Sequence, residues 1–234
     1  MEKIFLKTMD SVKIAADLYP IEKPVGWLVL LHMMPSTKES WYNFATEAQK
    51  AGYESIAIDL RGHGDSITYA DSHRLDTDLY GQKINYQNFS DEEHQKSVLD
   101  LKAAVEYLMN KRNATPEKIA FIGASIGANL SLQYISENPD FKTAILLSPG
   151  LNYRGIKTEP FAVKIKFNQK IFFISAKDDI RSSGNNNAEE TQKLHDSTFS
   201  NENKKIQIYE TGGHGTDILN NQRELTNLII EFLK

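Results

Sequence analysis

Gly123-Ala124-Ser125-Ile126-Gly127 directly follows the apolar run Lys118-Ile119-Ala120-Phe121-Ile122 and directly precedes a helix-like stretch. A serine at such a junction sits on a sharp strand-to-helix turn. The turn holds the serine in a strained conformation and lifts its hydroxyl above the sheet, while the flanking glycines let strand and helix approach closely. Glycine-flanked serines are also common in ordinary loops, so the meaning of this one depends on the rest of the chain.

The rest of the chain alternates strands with helices. Residues 2 to 7 and 12 to 19 read as short strands joined at Met9-Asp10-Ser11, with the alternation of an antiparallel hairpin that has one wet face. Trp27-Leu28-Val29-Leu30-Leu31 is continuously apolar, as a strand covered on both faces should be. Residues 40 to 51 carry helical spacing in Trp41, Phe44, Ala45 and Ala48, and residues 55 to 58 form the next buried strand. Ser90 begins a long amphipathic helix through Val98, Leu101, Val105 and Leu108. The strands at 118–122, 144–147, 170–175 and 205–209 are then separated by helices to about Asn138 and over 187–196, and a helix over 217–233 closes the chain. This order predicts one α/β domain over residues 1–234, built on a mostly parallel sheet with helices on both faces.

In such sheets ligands sit at the carboxyl ends of the strands. The turns there carry the chemistry-bearing residues. Asp178 and Asp179 follow Ile171-Phe172-Phe173-Ile174, and His214 lies in Thr211-Gly212-Gly213-His214-Gly215 after Ile206-Gln207-Ile208-Tyr209. A serine nucleophile needs a base, and the base needs a group to orient it. Serine, acid and histidine therefore stand in chain order at three strand ends.

With these residues in place the chain resembles the α/β-hydrolase family over nearly its whole length. The eight-stranded pattern with an antiparallel start, Leu31-His32 for the first crossover loop, Asp59-Leu60-Arg61-Gly62-His63-Gly64-Asp65-Ser66 after the fourth strand, and the triad positions carry the likeness. Within the family it is most similar to small bacterial carboxylesterases and dienelactone hydrolase-like proteins, to which Leu147-Ser148-Pro149-Gly150-Leu151-Asn152-Tyr153-Arg154-Gly155 also points. The resemblance implies Ser125 as nucleophile, His214 as general base and acid, and one of the paired aspartates as the orienting carboxylate. Asp179 is preferred, because family members commonly place the acid last in this turn, which leaves Asp178 solvated. The oxyanion of an acyl transfer then needs two donors: the backbone N–H of Ile126 at the start of the elbow helix, and one from the loop His32-Met33-Met34-Pro35. By position the second is Met34, with Met33 close behind. Relatives usually carry glycine where this chain has Met33.

Six histidines are present. His32 and His63 precede the serine and read as structural; His195 reads as exposed on a helix, and His73 and His94 lie among polar residues. None shows a metal-binding spacing, so no metal or organic cofactor is expected. About 20 residues separate the strand ending at Leu147 from the one beginning near Lys170, too few for a cap domain. The irregular stretch 65 to 90, with Tyr69, Leu75, Leu79, Tyr80 and Tyr86, is the candidate cover of the site.

Composition narrows the function. The net charge of −4 offers no cationic field for nucleic acid or anionic lipid, and the absence of cysteine excludes disulfides and a thiol nucleophile. Without an apolar run long enough to span a bilayer, or a signal-like start, the chain reads as soluble and cytoplasmic. These features predict a serine hydrolase acting on a small-molecule ester, thioester or lactone. The alternatives are a small serine peptidase and a non-catalytic binding protein that retains the fold. The oligomeric state is left open.

Overall fold

The computed structural model describes residues 1–70, 82–180, 184–199 and 203–234. The chain opens with β1 (Glu2–Lys7) and β2 (Val12–Tyr19), followed by β3 (Gly26–Leu31), α1 (Tyr42–Lys50), β4 (Tyr53–Ile58) and the two-residue β5 (Thr68–Tyr69). After α2 (Asp91–Gln95) and α3 (Val98–Arg112) come β6 (Ile119–Ala124), α4 (Ile126–Glu137) and β7 (Thr143–Leu147). A small hairpin, β8 (Asn152–Tyr153) and β9 (Ile156–Lys157), leads into α5 (Glu159–Ala162). The chain ends with β10 (Lys170–Ala176), α6 (Asn187–Ser197), β11 (Lys204–Tyr209), α7 (Asp217–Asn221) and α8 (Leu225–Leu233).

All eight strands read from the sequence lie in one sheet, in the order β1-β2-β4-β3-β6-β7-β10-β11, with β5 added beside β2. The pairs β1–β2 and β2–β4 are antiparallel; the rest of the path is parallel. Alternate residues of the central strands feed two separate cores. Val29 and Leu31 pack with Ile56, Phe121 and Leu130 on one face, whereas Leu28 and Leu30 pack with Trp41, Phe44, Ile122 and Ile229 on the other. Within the opening hairpin β1 keeps a wet face, whereas β2, flanked by β1 and β4, is buried almost throughout.

Three expectations change. The long helix from Ser90 is two helices: Ser90 and Glu93 form a capping box at its start, but Ser97 and Leu99 bond to carbonyls three residues back and break the run. The closing helix breaks at Gln222, which is extended at φ −118° and ψ 92°. There the side chains of Asn221 and Gln222 bond the carbonyls of Gly212 and Thr211, polar contacts that compete with the helix. Residues 148–169 contain the β8–β9 hairpin and α5, both unforeseen, and no cap domain.

Of the candidate cover, Leu75, Leu79 and Tyr80 lie outside the described residues, as does His73. Its two ends are anchored. Tyr69 pairs with Val12, Ile84 N–H donates to the Ile67 carbonyl over 2.9 Å, and the Tyr86 ring stacks on His63 with centroids 3.9 Å apart. Among the described residues no helix is long and apolar enough to cross a membrane.

Candidate active site

Ser125 stands between β6 and α4 at φ 55° and ψ −119°, outside the ordinary regions for a residue with a side chain. Close packing enforces that turn. A Cβ on Gly123 would collide with the Gly127 carbonyl, and one on Gly127 would collide with the Leu31 carbonyl. Only glycine at both positions lets α4 lie this near to β6 and β3. The Ser125 N–H donates to the Leu147 carbonyl over 2.8 Å, which ties the elbow to β7, and the residue is 5% exposed. Ile126 opens α4, where backbone N–H groups lack intrahelical partners.

At the end of β10, Asp179 is 6% exposed and turns its Oδ2 to His214 Nδ1, 2.7 Å away. Asp178 is not simply solvated. Although exposed, its carboxylate accepts the N–H of Gly212 over 2.9 Å and that of Gly213 over 3.0 Å. One aspartate thus faces the imidazole while the other fastens the loop that carries it. That loop packs beside the elbow: a Cβ on Gly215 would lie 3.3 Å from Ala124 Cβ and 2.7 Å from Met33 Sδ. Ser125 Oγ makes no hydrogen bond to His214 in this structure. Such contacts commonly tighten only when substrate is bound.

The loop after β3 is held from beneath. His32, fully buried, accepts the Leu60 N–H at Nε2 over 2.9 Å, which places its proton on Nδ1, where it donates to the Met33 carbonyl over 2.8 Å. Lys38, also buried, contacts Asp59 Oδ2 at 2.7 Å, and Asp59 Oδ1 accepts the Lys38 N–H over 2.8 Å. These bonds join the turns after β3 and β4. Met33 packs against the core on the α1 and α8 side of the sheet, and Met34 against the core that contains Ile126.

His32 and His63, expected to be structural, are both buried and bonded to backbone groups of the turns after β3 and β4. Burial lowers the pKa of His32 to about 4; burial, and then the neighbouring His32, lower that of His63 to about 3. His94 differs from the expectation of polar surroundings. It is 2% exposed with its ring edge against Phe89, because the capped α2 turns that face inward. His195 is half-buried rather than exposed and meets Phe173 edge-on at 5.8 Å. Among the described residues no three His, Asp or Glu side chains gather in a metal-binding cluster.

The parts played in this site by Ser148, by Asp178 as an anchor of the His214 loop and by Lys38 are not read from the sequence, where Asp178 stands only as the second candidate for the orienting acid. Their contacts reach across 67, 35 and 21 residues of chain, respectively, and no local pattern marks such partners.

The profile of the alpha/beta hydrolase fold family matches residues 26–212, and the chain belongs to that family. Among solved structures, an esterase from Pyrococcus furiosus superimposes with a TM-score of 0.74 at 21% identity, over 99% of this chain and 91% of the other. An esterase from Exiguobacterium antarcticum gives 0.71 at 13% identity, covering 99% of both chains. A dienelactone hydrolase from Anabaena variabilis gives 0.72 at 14% identity, over 99% of this chain and 95% of the other. At these identities the likeness is one of fold. The sequence matches none of the curated proteins with which it was compared.

Proposed function

We propose that the protein is a serine hydrolase that cleaves carboxylic esters of small acyl groups, thioesters and lactones included, through an acyl-enzyme on Ser125. The observation that carries this reading is the coincidence of a strained serine at the elbow with a histidine held by a buried aspartate on the adjacent loop. The esterases and the dienelactone hydrolase among the solved structures of this fold support ester rather than peptide substrates.

In the acylation step Ser125 Oγ attacks the carbonyl carbon as its proton passes to His214 Nε2, and the carbonyl electron pair moves onto oxygen. We assign the N–H groups of Ile126 and Met34 as the donors to that oxyanion, with the N-terminal dipole of α4 adding to the field. Collapse of the adduct expels the alcohol, which takes the proton from His214. Water, deprotonated by the same imidazole, then releases the acid and regenerates the serine. Asp179 holds the proton on Nδ1 so that Nε2 stays free to accept, and it stabilises the imidazolium. This chemistry asks for no metal or organic cofactor.

The test is hydrolysis of p-nitrophenyl acetate by wild type, Ser125→Ala and His214→Ala. Each variant is expected to lose nearly all turnover, because nucleophile and base act as a unit and their losses are large and non-additive. Wild-type turnover in either variant refutes the assignment.

A further inference from the structure

β6 and β7 run side by side with Ala124 opposite Leu147, so the next positions on the two strands are Ser125 and Ser148. Both serines have positive φ, 55° and 50°. The elbow explains the first. The second is harder to place: Ser148 precedes Pro149, whose ring crowds the residue before it and favours an extended conformation there, and glycine would suit a positive φ better. A backbone held in so unfavourable a region points to a use for its side chain.

That use is visible in its hydrogen bonds. Ser148 is fully buried, and its Oγ donates to Asp179 Oδ2 over 2.9 Å while accepting the Gly215 N–H over 2.9 Å. The oxygen it touches on Asp179 is the one that faces His214 Nδ1. One hydroxyl therefore binds both the acid and the residue that follows the histidine. The backbone of Ser148 is fixed in turn, its N–H bonded to the Ile174 carbonyl over 2.8 Å and its carbonyl to the Tyr153 hydroxyl over 3.3 Å.

We propose that Ser148 is a positioning residue that sets the distance and angle between Asp179 and His214. The inference rests on the reading of Ser125, His214 and Asp179 as the working unit. Buried behind the acid, Ser148 touches none of the reacting atoms; it acts on turnover through the imidazole.

The experiment compares Ser148→Ala and Ser148→Gly with wild type. Alanine removes the hydroxyl but keeps a Cβ at positive φ, whereas glycine removes both and relieves the backbone, so the glycine variant guards against a fold failure in the other. Both should lower kcat by about 10- to 100-fold, the size of effect that misplacement of a catalytic group produces, with KM within about twofold. Reaction with a fluorophosphonate probe should slow by a similar factor yet still reach full occupancy of Ser125. In the background of Asp179→Asn, Ser148→Gly should add much less than its own factor, since the carboxylate through which it acts is gone. A normal kcat in Ser148→Gly overturns the proposal. So does incomplete final labelling, which would mean a damaged fold rather than a misplaced base, or a full multiplication of losses in the double variant. If wild type takes no probe at all, the triad reading falls and this inference with it; a labelled wild type beside a normal Ser148→Gly refutes the inference alone.

Discussion

Asp178 and Asp179 are chain neighbours whose carboxylates do different work: Asp179 Oδ2 meets His214 Nδ1 at 2.7 Å, and Asp178 takes the N–H groups of Gly212 and Gly213. The sharp turn at the end of β10 sends the two side chains apart, so one loop receives both a carboxylate contact for its imidazole and an anchor for its backbone.

The two should therefore separate in mutagenesis. Asp179→Asn is expected to reduce kcat by about two to four orders of magnitude, as loss of the orienting carboxylate does in Ser-His-Asp triads. Asp178→Asn keeps a carbonyl oxygen for the Gly212 and Gly213 N–H groups and should cost no more than about tenfold. Steady-state kinetics of both variants decides the matter, and the reverse order would reassign the acid.

Stability should fall on mild acidification. His32 and His63 stay neutral in the folded protein down to about pH 4 and about pH 3, because burial opposes their charging. In the unfolded chain they take up protons near the ordinary histidine pKa of about 6.5. Between those limits the unfolded state binds more protons. Stability is thus undiminished above about pH 6.5 and declines below it, by up to about 1.4 kcal/mol per pH unit for each histidine. Urea unfolding at pH 7.5, 6.5 and 5.5 measures this; equal stability at all three would contradict the burial of these rings.

Gly127→Ala offers a test of the elbow itself. Alanine is the better helix former by about 1 kcal/mol, so a surface helix would gain from the change. Here the new methyl meets the Leu31 carbonyl, part of the backbone of β3, and either α4 or the strand must move. The expected result is a net loss of about 1–3 kcal/mol in chemical denaturation, the usual range for overpacking. A stabilised variant would show that α4 does not lie this close to the sheet.

Substrate length is the fourth prediction. Residues 148–169 provide only a hairpin of two two-residue strands and a single turn of helix beyond the sheet, and a buried methylene contributes about 0.8 kcal/mol only where a wall receives it. The kcat/KM of p-nitrophenyl esters should be highest from acetyl to butyryl and fall for octanoyl and longer. A specificity constant that climbs to dodecanoyl or palmitoyl would reveal a deep acyl channel.

Much of this architecture was legible in the sequence because each major strand carries its own apolar run and each long helix its own periodicity. The two-residue strands Thr68–Tyr69, Asn152–Tyr153 and Ile156–Lys157 are too short to show a period, and their pairing depends on partners elsewhere. The breaks near Ser97 and at Gln222 come from local hydrogen bonds that hydrophobic pattern does not register. Ser125, the aspartate pair and His214 could be picked out by their order at strand ends. The attachment of Ser148 to Asp179, the anchoring role of Asp178 and the inward-facing ring of His94 could not, since each depends on contacts made only when distant segments meet.

The central claim is that Ser125 is an activated nucleophile, and covalent labelling tests it most directly. Wild type treated with a fluorophosphonate, digested and read by mass spectrometry should carry one adduct, on Ser125, at close to full occupancy. His214→Ala should react orders of magnitude more slowly under the same conditions, because the proton of the hydroxyl then has no acceptor. An unlabelled wild type, an adduct on another residue, or equal labelling in His214→Ala would contradict the account.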